Sequence, residues 1–131
     1  MNNVFITGSA GFIGRHIVEA LGRRAEVKVL CGTSTSTREE LRDGLANADF
    51  VFHLAGVNRP VRTEDFQSGN AGFTAEICRE LEELGRKPCI VFSSSIQAAL
   101  ENPYGASKRA AEEAIRRYSA ATGAPAVIFR L

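Results

Sequence analysis

The amino-acid sequence predicts an α/β fold built on a doubly wound parallel sheet. Segments of β-strand character alternate with segments of helical periodicity along all 131 residues. Right-handed crossovers arrange such units as a parallel sheet with helices on both faces. The strand segments are also continuously apolar, which indicates strands buried on both faces. Five strands are predicted, at residues 4–6, 27–30, 50–54, 89–92 and 126–129.

The first two predicted helices follow the first two strands. Residues 12–23 carry apolar side chains at helical spacing. Residues 37–46 begin with a capping box, because Thr37 is followed three positions later by Glu40. Polar surface loops are predicted at 32–37 and 58–68.

The two later helices are longer. Residues 70–84 carry one apolar stripe and stop at a glycine, a residue type that commonly ends helices. The last helix runs to about residue 122, with Asn102 as its N-cap and Pro103 as its first residue. Both helices carry charged residues at helical spacing, and Glu80 and Glu112 are expected on solvated faces.

Composition excludes several classes of function. The sum of Lys and Arg is 16 and that of Asp and Glu is 15, so no strongly basic surface for nucleic acid is expected. The apolar runs fall far short of the roughly 20 residues that cross a bilayer, and the first residues lack a signal-peptide pattern. The predicted location is therefore cytoplasmic. Three cysteines without CxxC spacing indicate neither a disulfide framework nor a metal site.

A glycine-rich turn joins the first strand to the first helix. Gly8, Gly11 and Gly14 form a GxxGxxG pattern, which lets the backbone turn tightly and approach a diphosphate. The free N–H groups at the helix start, those of Phe12 and Ile13 among them, then meet the negative charge. A glycine turn that only packs helix against strand is the alternative, but the strand before it and the helix after it favour a dinucleotide site.

The end of the second strand bears on the choice of cofactor. A Rossmann domain that prefers NAD usually carries an acid there, for the ribose 2′-hydroxyl, whereas this strand leads into Gly32 and Thr33. NADP(H) is therefore preferred and NAD(H) stays possible. Thr33 and Arg38 are the predicted ligands of the 2′-phosphate, with Ser34 and Arg15 as further donors. A solvated surface charge is the alternative for both arginines.

A serine cluster and a Tyr/Lys pair carry the predicted chemistry. Tyr104 and Lys108 are four residues apart on one helix and so share a face. Residues 93–95 are all serine and follow the fourth strand, at the sheet edge where ligands bind in open α/β folds. A tyrosine can exchange a proton with a carbonyl oxygen if a nearby cation favours its phenolate, and a serine hydroxyl can orient that oxygen.

Together these motifs resemble the extended short-chain dehydrogenase/reductases, which include the NAD-dependent epimerases and dehydratases of nucleotide sugars. The resemblance implies that Tyr104 is the acid/base, that Lys108 is its partner and that Ser95 is the catalytic serine. It further implies that the family's remaining cofactor positions fall on Leu54, Ala55, Gly56 and Asn70, the last supporting the lysine through water.

A finer resemblance comes from the runs AGVNRP at 55–60 and SSSIQA at 93–98. They are similar to capsular-polysaccharide and O-antigen reductases, which reduce a UDP-linked 2-acetamido-2,6-dideoxy-hexulose with NADPH. Asn58, Arg59 and Ser95 are then expected to bind substrate, although Arg59 could equally be an ordinary loop arginine. A nucleotide-sugar epimerase and a non-catalytic NAD(P)-binding or redox-sensing module are the alternative functions.

Members of this family are at least about twice this length. The resemblance therefore implies that residues 1–131 are the N-terminal, NAD(P)-binding Rossmann domain, truncated after the fifth strand and without the substrate-binding part. Alone, such a fragment is expected to bind cofactor weakly and to turn over nothing. Relatives dimerise through two long helices, here 70–84 and 103–122, so a homodimer is expected at full length.

Overall fold

A computed structural model describes residues 2–56, 62 and 64–131. Its centre is a five-stranded sheet of parallel strands in the order β2-β1-β3-β4-β5. The strands are β1 (Asn2–Thr7), β2 (Val27–Gly32), β3 (Phe50–His53), β4 (Cys89–Ser94) and β5 (Ala126–Arg130). The predicted doubly wound α/β fold is confirmed. All carboxyl ends of the strands point to one edge of the sheet, because the strands are parallel.

Helices fill the connections as predicted, with three short helical segments in addition. The α-helices are α1 (Phe12–Gly22), α2 (Arg38–Asn47), α3 (Glu64–Phe66), α4 (Phe73–Leu84) and α5 (Pro103–Thr122). A π-helical segment (Gln67–Gly72) joins α3 to α4, and a 3₁₀ segment (Ile96–Ala99) follows β4. The predicted caps are also present: Thr37 and Glu40 form a capping box, and Asn102 accepts a hydrogen bond from the N–H of Gly105.

The helix expected at 70–84 begins earlier than predicted. Residues 64–72 are helical rather than loop, so the loop predicted over 58–68 is wrong for the part from Glu64 onward. A π-helical turn contains more residues than the 3.6 of an α-helical turn. Apolar side chains therefore do not recur at the spacing that reveals a helix in a sequence. Such turns often occur at functional sites, and Asn70 lies in this one.

The main core lies on the face of the sheet that α2, α4 and α5 cover. Alternate residues of β3 and β4 point into it, with Val51, Ile90 and Phe92 no more than 1% exposed. The opposite face is covered less completely by the described residues. Phe50 and Phe129 on that face are 40% and 53% exposed. No helix in the described part of the chain has both the length and the apolarity that crossing a membrane requires.

Candidate active site

The glycine turn fits closely between the ends of β1 and β3. Gly8 has a φ of +70°, in the left-handed region that favours glycine. A Cβ on Gly8 would lie 2.7 Å from the backbone nitrogen of Ala55, and one on Gly14 would lie 2.0 Å from the carbonyl oxygen of Gly8. Both positions therefore require glycine, because protein backbone occupies the space that a Cβ would take.

The start of α1 is open to a ligand. Its N-cap is Gly11, which has no side chain to accept the first N–H groups of the helix. The side chains of Phe12 and Ile13 are 73% and 40% exposed. Neither residue lines the cavity described below, so the role of their backbone N–H groups in an anion site stays a prediction.

A cavity of about 520 Å³ lies beside the glycine turn. Six of the predicted cofactor residues line it, namely Gly8, Gly11, Thr33, Arg38, Ala55 and Gly56. The cavity runs from the glycine turn to the residues that follow β2, which is the span that the diphosphate and the adenosine end of a dinucleotide would occupy. The residues that line the cavity therefore fit the diphosphate and adenosine end of a nicotinamide dinucleotide.

Arg38 reaches the cavity from the first turn of α2 and is held there by α4. Its Nη2 donates to Glu80 over 2.9 Å, and Arg42 donates to the other oxygen of the same carboxylate. Glu80 is 1% exposed, so the expectation of a solvated Glu80 is wrong. The hydrogen bond from Arg38 is the largest influence on the carboxyl and lowers the pKa of Glu80. Arg38 therefore pairs with a buried carboxylate, while its own side chain is 71% exposed.

A buried chain of hydrogen bonds supports the end of β3. His53 is 1% exposed, with Nδ1 2.7 Å from the Thr7 hydroxyl and Nε2 2.8 Å from the Thr74 hydroxyl. Thr74 donates its proton to the carbonyl of Asn70, so His53 must donate from Nε2. Thr7 in turn accepts from the N–H groups that follow β3 and donates to Nδ1. His53 is thus a packed, neutral residue and not a base.

The buried state of His53 predicts loss of stability in acid. Burial is the main cause that lowers the pKa of His53 to about 3, from its ordinary value of 6.5. Between these two pH values the unfolded chain binds more protons, so stability falls as pH falls. From pH 6.5 to 5 the expected loss is about 2 kcal/mol, measured by urea denaturation at each pH.

His53→Gln should remove most of this dependence of stability on pH. His16→Gln alters the other histidine, which is exposed on α1, and should keep it. Equal slopes in both variants would contradict the assignment.

Lys108 lies at the carboxyl end of β4, where a nicotinamide ring would be expected. Its Nζ donates to the carbonyl of Ser93 over 3.0 Å and lies 4.8 Å from the centre of the Phe92 ring. A Cβ on Gly56 would come within 3.3 Å of this Nζ. Gly56 also lines the cavity, so the ammonium adjoins the cofactor space. Burial lowers the pKa of Lys108 to about 8.

Asn70 connects the π-helical segment to the first turn of α5. Its Nδ2 donates to the Ser107 hydroxyl over 2.9 Å, and Ser107 donates to the carbonyl of Tyr104 over 2.7 Å. A Cβ on Gly56 would lie 2.8 Å from the Asn70 Oδ1. Asn70 therefore lies between the cofactor cavity and the helix that carries Lys108. Ser107 lies between Tyr104 and Lys108 in the sequence, but that pattern does not reveal its contact with Asn70.

Tyr104 and Ser95 face the same end of the sheet. The Tyr104 ring packs edge-on against Phe66, with centroids 5.5 Å apart. Ser95 follows β4 and accepts a hydrogen bond from the N–H of Gln97 over 3.1 Å. A Cβ on Gly105 would lie 2.0 Å from the Gln97 carbonyl oxygen, so α5 begins in close contact with the 3₁₀ segment. Ser95 and the Lys108 ammonium thus both lie at the end of β4, and Tyr104 lies one turn before Lys108 on α5.

Other predicted residues have different outcomes. Gly14 and Leu54 do not line the cavity, although Gly14 shapes the turn and the N–H of Leu54 bonds to Thr7. Asn58 and Arg59, the predicted substrate residues, lie outside the described residues. Within the described ranges no group of three or more His, Cys, Asp or Glu side chains is placed to hold a metal ion.

Glu112 departs most clearly from its predicted position. It was expected on a solvated helix face and is instead fully buried. Ser94 donates to its Oε2 over 2.6 Å, and Arg130 donates to both of its oxygens over 2.9 and 2.8 Å. Arg116, four residues further along α5, also donates to Glu112 over 3.3 Å, at ordinary helical spacing. Ser94 and Arg130 are each 18 residues away in sequence, so local spacing could not reveal these two partners.

Comparisons with known proteins agree with this geometry. The model of the NAD dependent epimerase/dehydratase family matches residues 4–131. A UDP-2-acetamido-2,6-beta-L-arabino-hexul-4-ose reductase of Pseudomonas aeruginosa is 41% identical over 128 residues, covering 98% of this chain and 34% of its own length. A ceramide reductase of Caulobacter vibrioides is 31% identical over 133 residues, covering 86% of this chain and 41% of its own length.

A solved structure gives the same result. The capsular polysaccharide assembling protein CapF from Staphylococcus aureus superposes with a TM-score of 0.84 at 38% identity, over 99% of this chain and 35% of that one. The chain thus spans about a third of the length of these relatives.

Proposed function

The chain belongs to the NAD dependent epimerase/dehydratase family, and on that premise we propose that it serves the NADPH-dependent reduction of a 4-keto nucleotide sugar. The proposed substrate is a UDP-linked 2-acetamido-2,6-dideoxy-hexulose, used to build capsule or O-antigen polysaccharide. The observation that carries the proposal is the position of Lys108, between the carbonyl of Ser93 and Gly56 of the cofactor cavity. The identity of 41% to a reductase of that substrate type supports the choice of sugar.

The proposed chemistry needs a hydride and a proton. When bound, NADPH supplies the hydride that reduces the carbonyl carbon. Tyr104 donates its hydroxyl proton to the carbonyl oxygen, which completes the alcohol. Ser95 orients that oxygen by a hydrogen bond, and Lys108, as a cation, stabilises the phenolate left on Tyr104. Water then returns the proton to Tyr104.

The reaction itself is tested on the full product of the native gene, because the chain spans about a third of the relatives' length. With a UDP-linked 4-keto sugar and NADPH, we expect equal amounts of cofactor oxidised and alcohol formed, read by absorbance and mass spectrometry. An isomerised sugar without net cofactor oxidation would replace this proposal with an epimerase. A lipid ketone serves as the control substrate, because a ceramide reductase is also similar to this chain, and reduction of that ketone alone would overturn the sugar assignment.

The preference for NADPH rests on the residues beyond β2. No carboxylate follows the end of that strand, so nothing there repels a 2′-phosphate. Thr33, Ser34 and Arg38 line the cavity and can donate hydrogen bonds. Glu76 also lines it, and its charge offsets part of that of Arg38.

Replacing Arg38 separates the two cofactors. Arg38→Met should raise the dissociation constant for NADPH about tenfold, because a charge-assisted bond to phosphate is worth about 1.5 kcal/mol or more. The same substitution should leave the dissociation constant for NADH nearly unchanged. Arg42→Met is the matched control, since Arg42 also pairs with Glu80 but does not line the cavity. Titration followed by cofactor fluorescence measures both constants. Equal weakening of NADH and NADPH by Arg38→Met would remove Arg38 from the phosphate site.

Two further expectations, on the oligomeric state and on the cellular location, belong to the same proposal. We propose a homodimer that forms through α4 and α5, which pack side by side on one face of the sheet, and a cytoplasmic location for the enzyme. Sedimentation of the full gene product tests the first of these.

A further inference from the structure

The buried carboxylate of Glu112 joins three elements beside the candidate active site. It lies one helical turn after Lys108 on α5 and has 0% exposure. Ser94 at the end of β4 donates to one of its oxygens, and Arg130 at the end of β5 donates to both. Ser94 and Arg130 are direct neighbours in the parallel register of β4 and β5. A single carboxylate therefore holds both strand ends against the helix.

Two side chains of α5 hold consecutive residues of β4. Lys108 donates to the carbonyl of Ser93, and Glu112 accepts from the hydroxyl of Ser94. Because residues four apart share one helix face, the strand end cannot slide along α5 without breaking both contacts. The next residue in the chain is Ser95, which the mechanism needs at a fixed distance from the carbonyl oxygen.

On the basis of the function proposed above, we propose that Glu112 is a positioning residue of the reaction. Through Ser94 and Arg130 it sets where Ser95 stands relative to Tyr104 on the first turn of α5. Glu112 need not contact the substrate for this role. Its effect on the reaction is exerted through the strand end and through its charge.

The charge of Glu112 acts on Lys108. Burial lowers the pKa of Lys108 to about 8, and the Glu112 carboxylate works against that effect. From β3, His53 faces the same ammonium and is neutral. From β4, the carbonyl of Ser93 and the ring of Phe92 face it, and neither titrates. Among the described residues, Glu112 is therefore the anion that favours the protonated lysine.

The charge effect can be tested without substrate. Glu112→Gln keeps the size of the side chain and removes its charge. Glu113→Gln is the matched control, since Glu113 is the next residue and its side chain is 57% exposed. The chain has three lysines, so NMR spectra of protein with isotope-labelled lysine contain few signals. The signal that disappears in Lys108→Met is that of Lys108. We expect Glu112→Gln to lower the pKa of Lys108. Glu113→Gln should leave the pKa of Lys108 unchanged. Identical pKa values in all the proteins would overturn the proposal.

The positioning effect is tested by kinetics on the full gene product. Glu112→Gln should lower kcat by between about tenfold and a hundredfold, the usual cost of a small misplacement of reacting groups, with KM for NADPH within about twofold of its original value. If Glu112→Gln does not fold, Ser94→Ala decides the matter, because it keeps the charge and loosens the strand end. Its kcat should fall while the pKa of Lys108 stays. An unchanged kcat in the folded variants would overturn the proposal.

The two proposals can fail separately. If the full gene product reduces no keto sugar, the proposed function fails. The lysine titration then still decides whether Glu112 acts on Lys108, because it needs neither substrate nor turnover.

Discussion

Tyr104→Phe is expected to lower the turnover of the full gene product by about a hundredfold to ten-thousandfold, the usual contribution of a positioned acid or base. The substitution removes the hydroxyl that donates the proton and keeps the ring, which packs against Phe66. Cofactor affinity should therefore change little. Steady-state kinetics gives the turnover, and an NADPH titration of the same variant gives the affinity.

The matched control is Tyr118→Phe, which removes the same group from the other tyrosine. Tyr118 is 1% exposed and donates to the carbonyl of Pro88 over 3.2 Å. Its loss should cost about 1 kcal/mol of stability and leave turnover intact. If Tyr104→Phe kept the original rate, the catalytic assignment would fail, and a non-catalytic nucleotide-binding module would become the better account.

Gly14→Ala should weaken NADPH binding by at least about tenfold and destabilise the fold by roughly 1–3 kcal/mol, the range for overpacking a filled site. The added Cβ would lie 2.0 Å from the carbonyl oxygen of Gly8 and 2.9 Å from the Cα of Ser9. Both are backbone atoms, so the glycine turn itself must move, and with it the N–H groups that would face the diphosphate. Cofactor fluorescence and urea denaturation measure the two effects.

Gly22→Ala provides the control for helix α1. Apart from its chain neighbours and the backbone of its own helix, no heavy atom lies within 4 Å of a Cβ at Gly22. Alanine is favoured over glycine in a helix by about 0.5–1 kcal/mol. This variant should bind NADPH as before and be slightly more stable. Equal binding by Gly14→Ala would mean that the turn does not approach the cofactor.

The fold was predictable because its signals are local. Apolar runs mark the strands, and glycines or caps mark the helix ends, as at Thr37 and Asn102. The glycine turn was also predictable, since close backbone contact leaves glycine as the sole option at Gly8 and Gly14. The π-helical segment was not, because its wider turn departs from the period that reveals a helix.

The buried acids show the limit of this reasoning. Glu80 and Glu112 lie among charged neighbours at helical spacing, which is typical of a solvated face. Their burial depends on arginines from other elements, Arg38 on α2 and Arg130 on β5. A pattern within one helix carries no information on such partners. The roles of Ser95, Tyr104 and Lys108 stay predictions, although Ser95 and the Lys108 ammonium both lie at the end of β4.

The hydrogen-bonded His53 also reports how often the structure around the site opens to solvent. Its Nε2 proton is shared with Thr74 and shut away from water, so solvent can replace it only when β3 and α4 separate. Its exchange rate in NMR spectra would therefore count local opening events directly beneath the cofactor cavity. A bound nucleotide that holds the ends of β1 and β3 together should slow that exchange, which makes one native proton a label-free measure of how tightly the site is closed.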